Sequence, residues 1–371
     1  MTSRKPTILH VIDTTGPGGA ETVFLNLAEA VSIEGYATLA MIRGPGWVQT
    51  QLEKRKIPFV VLSPFGFLSL PYYWAVFKLM KYHNVKFVQA HLLGSALTFA
   101  ILNLLTRTPV VATLHGKVDV NPNEGFILVK RWLLKKGLNK VVAVSGQLAE
   151  YLAERKLFSR AQIVVIHNGI DVDKYQMPDS GRLKREMNLP ENAKLVGSIG
   201  NIRPAKDYQN LIRAASLVVA KNANVHFLIA GHSKEPLQSE LDDLSKQLGI
   251  KEHIHFLGFL DDTPEFLAQI DIFVLSSKSE GFSISTLEAM AAKTPIVVTR
   301  CGGPEEIIRP GVDGLVVSIS SPPELAVGIE RLFEEDSVTL YVSNGFHHVK
   351  ADFGGSSMVQ KYVRMAYEQL R

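Results

Sequence analysis

The chain has 371 residues, 46% hydrophobic and 20% charged, a composition that excludes a disordered or fibrous protein and predicts about two domains with real cores. Forty basic against 36 acidic side chains leave a net charge of +4, a mild excess that suits anionic small ligands or an anionic membrane surface and is too diffuse for nucleic acid. The single cysteine, Cys301, excludes an internal disulfide framework and a cysteine-based metal cluster.

The first six residues run into a strand-like segment without a signal-type apolar stretch, so an intracellular, cytoplasmic protein is expected. Apolar stretches such as 92–105 are interrupted and too short to span a bilayer. Residues 7–12, Thr-Ile-Leu-His-Val-Ile, read as a buried parallel strand. A loop over 14–19 and a helix over 20–32 follow. Gly18 and Gly19 open that helix, where bare amides can approach an anion or a hydroxyl-rich ligand; a simple tight turn is the alternative.

Further strands are predicted over 37–42, 59–62, 86–90, 110–114, 141–144 and 163–166, each pair separated by a helical segment. Alternation of this kind implies a doubly wound parallel sheet. His91 and His115 each follow a strand, at the carboxyl edge where open α/β sheets bind ligands. The segment 126–136 interleaves apolar residues and Trp132 with Lys130, Arg131, Lys135 and Lys136. It resembles helices that lie in the headgroup plane of anionic membranes, with an ordinary crossover helix as the alternative. A second aromatic-rich patch covers 62–82, including Phe65, Phe67, Tyr72, Tyr73 and Trp74, and is read as acceptor groove, membrane edge or core.

The polar stretch 174–181 is placed as the linker, giving an N-terminal domain over 1–180 and a second over 181–353. A second βα series begins there, with strands over 195–199, 225–230, 254–257, 270–275 and 296–299. Two such sheets are expected to leave a cleft able to enclose a ligand. The last segment, 354–371, is amphipathic and is expected to cross back onto the first domain.

Strand 195–199 runs into Gly200-Asn201-Ile202-Arg203-Pro204-Ala205-Lys206, and two cations in such a loop suit a diphosphate, with surface ion pairing as the bland reading. Strand 270–275 runs into a turn carrying Glu280 and Gly281, then a helical segment carrying Glu288. The first amides of such a helix can hold phosphate, while the two carboxylates accept from ribose or sugar hydroxyls. A plain βα junction with two solvated glutamates is the competing reading.

The run Asp271-Ile272-Phe273-Val274-Leu275, Glu280-Gly281-Phe282, Leu287-Glu288-Ala289-Met290 and Gly302-Gly303 with its following acids resembles the retaining family-4 glycosyltransferases. Gly18-Gly19-Ala20-Glu21, His115 and His167-Asn168-Gly169-Ile170-Asp171 match in order, so the likeness covers nearly the whole chain. It implies a GT-B architecture, two Rossmann-like doubly wound domains facing a central cleft, with the nucleotide-sugar donor on the second and the acceptor on the first. By matching position, Glu280 binds hydroxyls of the transferred sugar and Glu288 the ribose. The amides at Gly281, Phe282, Ser283 and Ile284 serve the diphosphate, with Gly200, Asn201 and Gly231 around the donor.

The resemblance also implies Lys206 as the phosphate lysine, His115 as the residue that orients the sugar, and Gly18, Gly19, His91 and Asn168 toward the acceptor. The family's arginine directly after the glycine is Asn201 here; Arg203, two residues later and on the same strand face, is the expected substitute. No cofactor or metal is expected: Asp242-Asp243 and Asp261-Asp262 form no Asp-x-Asp motif. A sugar-nucleotide epimerase on the same fold and a non-catalytic scaffold are the rival readings. A peripheral seat on the inner face of the cytoplasmic membrane is the alternative to a free cytoplasmic enzyme.

Overall fold

Apolar runs buried on both faces build two parallel sheets in this computed structural model, which describes residues 5–33, 37–63, 69–117 and 127–370. The N-terminal residues before Lys5, Phe65 and Phe67 of the aromatic patch, and Phe126 of the basic segment lie outside the described residues. By contacts the chain divides into Met1–Asn168 with Met358–Arg371, and Gly169–Ser357. The boundary precedes the expected one because residues 169–176 are bonded into the second unit. Ile170 donates its amide to the Phe353 carbonyl at 3.0 Å and accepts from Gly355 at 2.8 Å.

Unit 1 alternates strands β1 (Thr7–Ile12), β2 (Ala37–Ile42), β3 (Phe59–Val61), β4 (Val85–His91), β5 (Val110–Leu114), β6 (Lys140–Ala143) and β7 (Ile163–Val165) with helices. The helices are α1 (Gly19–Ile33), α2 (Trp47–Lys54), α3 (Leu70–Tyr82), α4 (Leu92–Thr106), α5 (Ile127–Gly137) and α6 (Gly146–Glu154). Its seven strands run β3-β2-β1-β4-β5-β6-β7, all parallel. Order therefore reverses between β1 and β4, and at such a switch point the flanking helices lie on opposite faces and open a crevice at the strand ends.

Phe24, Phe87 and Phe99 are among the largest fully buried side chains, so the core lies on both sides of this sheet. A Cβ on Gly137 would come within 2.2 Å of the Ala100 carbonyl, so glycine there lets α5 pack directly on the α4 backbone.

Unit 2 holds α7 (Arg182–Glu186), β8 (Lys194–Ile199), α8 (Tyr208–Lys221), β9 (Val225–Ala230), α9 (Leu237–Gln247), β10 (Ile254–Gly258) and α10 (Thr263–Leu267). It continues with β11 (Ile272–Leu275), α11 (Ile284–Ala291), β12 (Ile296–Thr299), β13 (Leu315–Val317), α12 (Pro322–Glu334) and α13 (Val338–Asp352). The sheet order is β10-β9-β8-β11-β12-β13, again all parallel, with its reversal between β8 and β11.

The last helix, α14 (Gly355–Leu370), enters unit 1 from Met358 onward. There the Tyr362 hydroxyl lies 3.2 Å from Thr113 Oγ1, which also accepts from Gln89 Nε2 at 2.8 Å. No helix among the described residues is long and apolar enough to cross a membrane.

Candidate donor and acceptor sites

The unit 2 switch point brings together two loops that lie far apart in sequence. Lys206 closes a short 3-10 turn after β8 and donates to Glu280 Oε1 at 2.7 Å; the side chains are 20% and 14% exposed. Ser277 Oγ donates to the same oxygen at 2.6 Å. The backbone supports the pair: the Lys278 amide donates to the Ala205 carbonyl at 2.8 Å, and Ser276 Oγ to the Lys206 carbonyl at 2.9 Å. The Glu280 amide in turn donates to the Cys301 carbonyl at 3.0 Å. The β8, β11 and β12 loops are thus stitched into one rim, with a cation and a carboxylate on it.

Glycines make the rim possible. A Cβ on Gly200 would lie 2.6 Å from Lys206 Cε, one on Gly231 would lie 2.1 Å from the Gly200 carbonyl, and one on Gly303 would lie 2.6 Å from Phe282 Cα. Gly231 and Gly303 are needed where one loop's backbone lies on another's, and Gly200 leaves room for the Lys206 side chain. Asn201 Oδ1 accepts from the His232 amide at 3.0 Å, so this side chain ties the β8 loop to the β9 loop. The His232 ring stacks on Phe259, 4.7 Å away and 5° from parallel. The phenyl ring of Phe282 is buried beside Phe353 at 5.7 Å, which leaves only its backbone for a ligand.

At the head of α11, Ser283 Oγ accepts from the Thr286 amide at 3.4 Å. That is an N-cap, so the expectation that the helix keeps its first amides free is corrected: one of them is already satisfied. Glu288, half-buried in the second turn, accepts from the Tyr175 hydroxyl at 2.7 Å. Burial raises its carboxyl above the ordinary carboxylate value, opposed by the Tyr175 hydrogen bond and by Lys174.

Arg203 does not join Lys206. It is exposed and lines a cavity of about 120 Å³ with Tyr208, Gln209, Leu237, Leu241 and Lys278, which neither Lys206 nor Glu280 lines. The two-residue offset was read as keeping the same strand face, but β8 ends at Ile199 and strand alternation no longer applies to the loop beyond it. Asp242 pairs with Lys251, Asp243 with Lys246, and Asp262 caps α10 through the Glu265 amide.

At the unit 1 switch point three imidazoles gather, His10 inside β1, His91 at the end of β4 and His115 just after β5. His91 Nδ1 lies 3.2 Å from His115 Nε2 with the rings stacked, and Phe24 sets its edge between His10 and His91. Burial pushes His10 and His115 down to about 3, and burial with the neighbouring imidazoles holds His91 well below its ordinary value. All three are neutral at physiological pH. His91, expected toward the acceptor, is 0% exposed, and its Nδ1 lies against the half-buried His115.

Asn168 is also buried, and Gly18 closes on Glu21, whose Oε2 lies 2.5 Å from where a Cβ would be. Asp13, at the end of β1, accepts from both the amide and the hydroxyl of Ser95 at the start of α4. Sequence reading missed Asp13, Ser277 and Tyr175; Asp13 stands one residue and Ser277 two residues past a predicted strand, where ligand edges form.

Two parallel α/β sheet domains with ligand-edge loops at both switch points define a GT-B protein. The family model for glycosyl transferases group 1 matches residues 179–344, and that for glycosyltransferase family 4 matches residues 17–174. The chain belongs to the group 1, family 4 glycosyltransferases.

Among relatives, an uncharacterized glycosyltransferase of Methanocaldococcus jannaschii is 30% identical over 55% of this chain and 53% of its own length. The match thus spans about half of that relative. The N-acetyl-alpha-D-glucosaminyl L-malate synthase of Bacillus anthracis is 29% identical over 71% of this chain and 69% of its own. The crystal structure of Anabaena HepE in complex with UDP and glucose superposes with a TM-score of 0.89 at 24% identity, covering 98% of this chain and all of that one.

Proposed function

We propose that this protein moves a sugar from a nucleotide-diphosphate sugar, bound on unit 2, to a glycan, lipid-linked or small-molecule acceptor bound on unit 1. The reaction retains anomeric configuration and uses no metal. The observation that carries the reading is the Lys206–Glu280 pair, 2.7 Å apart at the switch point where β8 and β11 adjoin. A diphosphate competes for Lys206, and the exchange releases the Glu280 carboxylate to accept from sugar hydroxyls. Glu288 accepts from the ribose.

As the sugar–phosphate bond breaks, the leaving diphosphate gains negative charge, which Lys206 and the N-terminal end of α11 stabilise. Attack on the same face of the sugar accounts for retention, with the departing phosphate oxygen taking the acceptor proton. His115, at about 3, is too weak a base to take that proton and orients the sugar by hydrogen bonding instead. A neighbour of the same fold binds UDP and glucose, which makes UDP the first donor nucleotide to try.

A thermal-shift panel of UDP, GDP and ADP with their glucose conjugates tests the donor half. A specific nucleotide at a hundred times its Kd is expected to stabilise by about 2.7 kcal/mol, and a flat panel overturns the proposal. Transfer with the matching donor is expected to keep its rate in excess EDTA and to give a product with the donor's anomeric configuration; loss of rate or inversion removes that part of the mechanism.

The acceptor is proposed to be reached at an anionic membrane surface through α5. Leu134 and Gly137 face inward, whereas Leu128, Val129 and Trp132 are exposed and Lys135 and Lys136 stand in solvent. An apolar stripe flanked by cations is the pattern for an anionic headgroup plane. In vesicle flotation the protein is expected to rise with anionic and not with neutral lipid, and a K135E/K136E variant to lose most of that binding. Equal flotation with both lipids sinks the membrane reading.

A further inference from the structure

The Glu288 carboxylate does not offer a ribose two equal oxygens, because one of them already accepts a hydrogen bond. Tyr175 ends the 3-10 turn Val172–Tyr175, is 6% exposed, and places its hydroxyl 2.7 Å from Glu288 Oε1. Gln176 anchors the same turn by donating Nε2 to the Ala291 carbonyl at the end of α11. Burial together with Glu288 keeps the phenol protonated far above its ordinary value. Tyr175 is therefore the donor and Glu288 Oε1 the acceptor of a fixed, charge-assisted bond.

We propose that Tyr175 is a specificity-determining residue of the donor site: by taking one acceptor position on Oε1 of Glu288 it makes the other oxygen the stronger acceptor, so that one ribose hydroxyl is read more tightly than its neighbour. A bare carboxylate matches a vicinal diol with both oxygens, one for each hydroxyl. With one lone pair of Oε1 committed, the hydroxyl that faces that oxygen is held more weakly than the one that faces Oε2. The inference rests on the donor assignment of the proposed function and adds which part of the nucleotide is read and by what.

The experiment measures binding of UDP, GDP and ADP, each with its 2′-deoxy and 3′-deoxy forms, to the full chain and to Tyr175→Phe. For the nucleotide that binds, the wild type is expected to tolerate loss of one hydroxyl within about threefold. It is expected to lose about tenfold or more on removal of the other, the scale of a hydrogen bond to a charged group. Tyr175→Phe, which removes only the hydroxyl, is expected to lose about tenfold or more with both deoxy forms.

Glu288→Gln supplies an independent arm: it is expected to flatten the difference between the sensitive deoxy form and its parent. An unchanged discrimination pattern in Tyr175→Phe, equal penalties for both deoxy forms in the wild type, or full discrimination in Glu288→Gln each overturn the inference while leaving nucleotide binding in place. If no diphosphate binds the wild type, the donor assignment itself fails and this inference with it.

Discussion

Lys206→Ala is expected to lower sugar transfer by about 10²- to 10³-fold in kcat, the range for removing one preorganised charge or donor from a developing anion. Lys206 is positioned for that task by a backbone turn, by the Ser276 bond to its carbonyl and by the open space over Gly200. Glu280→Ala is expected to fall by a similar factor, because its carboxylate holds Lys206 and, in the proposed mechanism, accepts from the sugar hydroxyls. The two effects will not add: each residue sets the other's geometry, so the double variant should be little worse than either single one.

Each single change also leaves the other charge partly buried without its partner, so melting temperatures must accompany the rates. The decisive comparison is turnover in variants that still show a cooperative melt. Near-normal turnover in either variant would remove the site assignment.

Asp313→Ala is expected to have the largest effect on stability, about 1.5–3 kcal/mol, the range for losing hydrogen bonds to a charged group. The Asp313 carboxylate has no exposed surface. It accepts from Arg309 Nε at 2.7 Å, Arg309 Nη2 at 2.6 Å, the Arg309 amide at 3.2 Å and His348 Nδ1 at 2.7 Å. It thereby clamps the turn before β13 to α13. Arg309→Ala should cost a comparable amount, because it leaves the buried Asp313 carboxylate with only the 309 backbone amide and His348 as partners.

Burial pushes the Asp313 carboxyl up, but the hydrogen bonds from Arg309 and His348 outweigh it and hold the group below the ordinary value. A depressed folded-state value means that the stabilisation is fully present above the unfolded value near about 3.9. It is lost as pH falls through the lower folded value. Urea midpoints measured from pH 7 down to pH 3 should therefore converge between wild type and Asp313→Ala at the acid end. A constant gap down to pH 3 would show that the clamp does not depend on the ionised carboxylate.

Several of these features were legible in residue order, and several were not. Strands β1, β2, β5 and β9 fall on their expected boundaries, because residues buried on both faces of a parallel strand are a continuous apolar run that needs no knowledge of neighbours. Glu280 and Lys206 were visible as polar residues just past such runs. Arg203 was misplaced because strand alternation was carried into a loop where it does not hold. The Asp313 clamp and strand β13 left no mark, since Asp313 and His348 lie 35 positions apart and each looks like an ordinary surface residue on its own.

By itself the sequence determined the class of architecture, the loops that carry glycine and charge, and the family resemblance, since all of these follow from local apolar pattern and residue chemistry. The tertiary structure alone decided which loops meet. Sheet order puts β11 next to β8 and β5 next to β4, and so brings together Lys206 and Glu280 across 74 positions and His91 and His115 across 24. Tyr175 reaches Glu288 across 113 positions in the same way, and nothing near it in the chain hints at that partner. Such pairings depend on how whole βα units pack on one another, which no local stretch of sequence encodes.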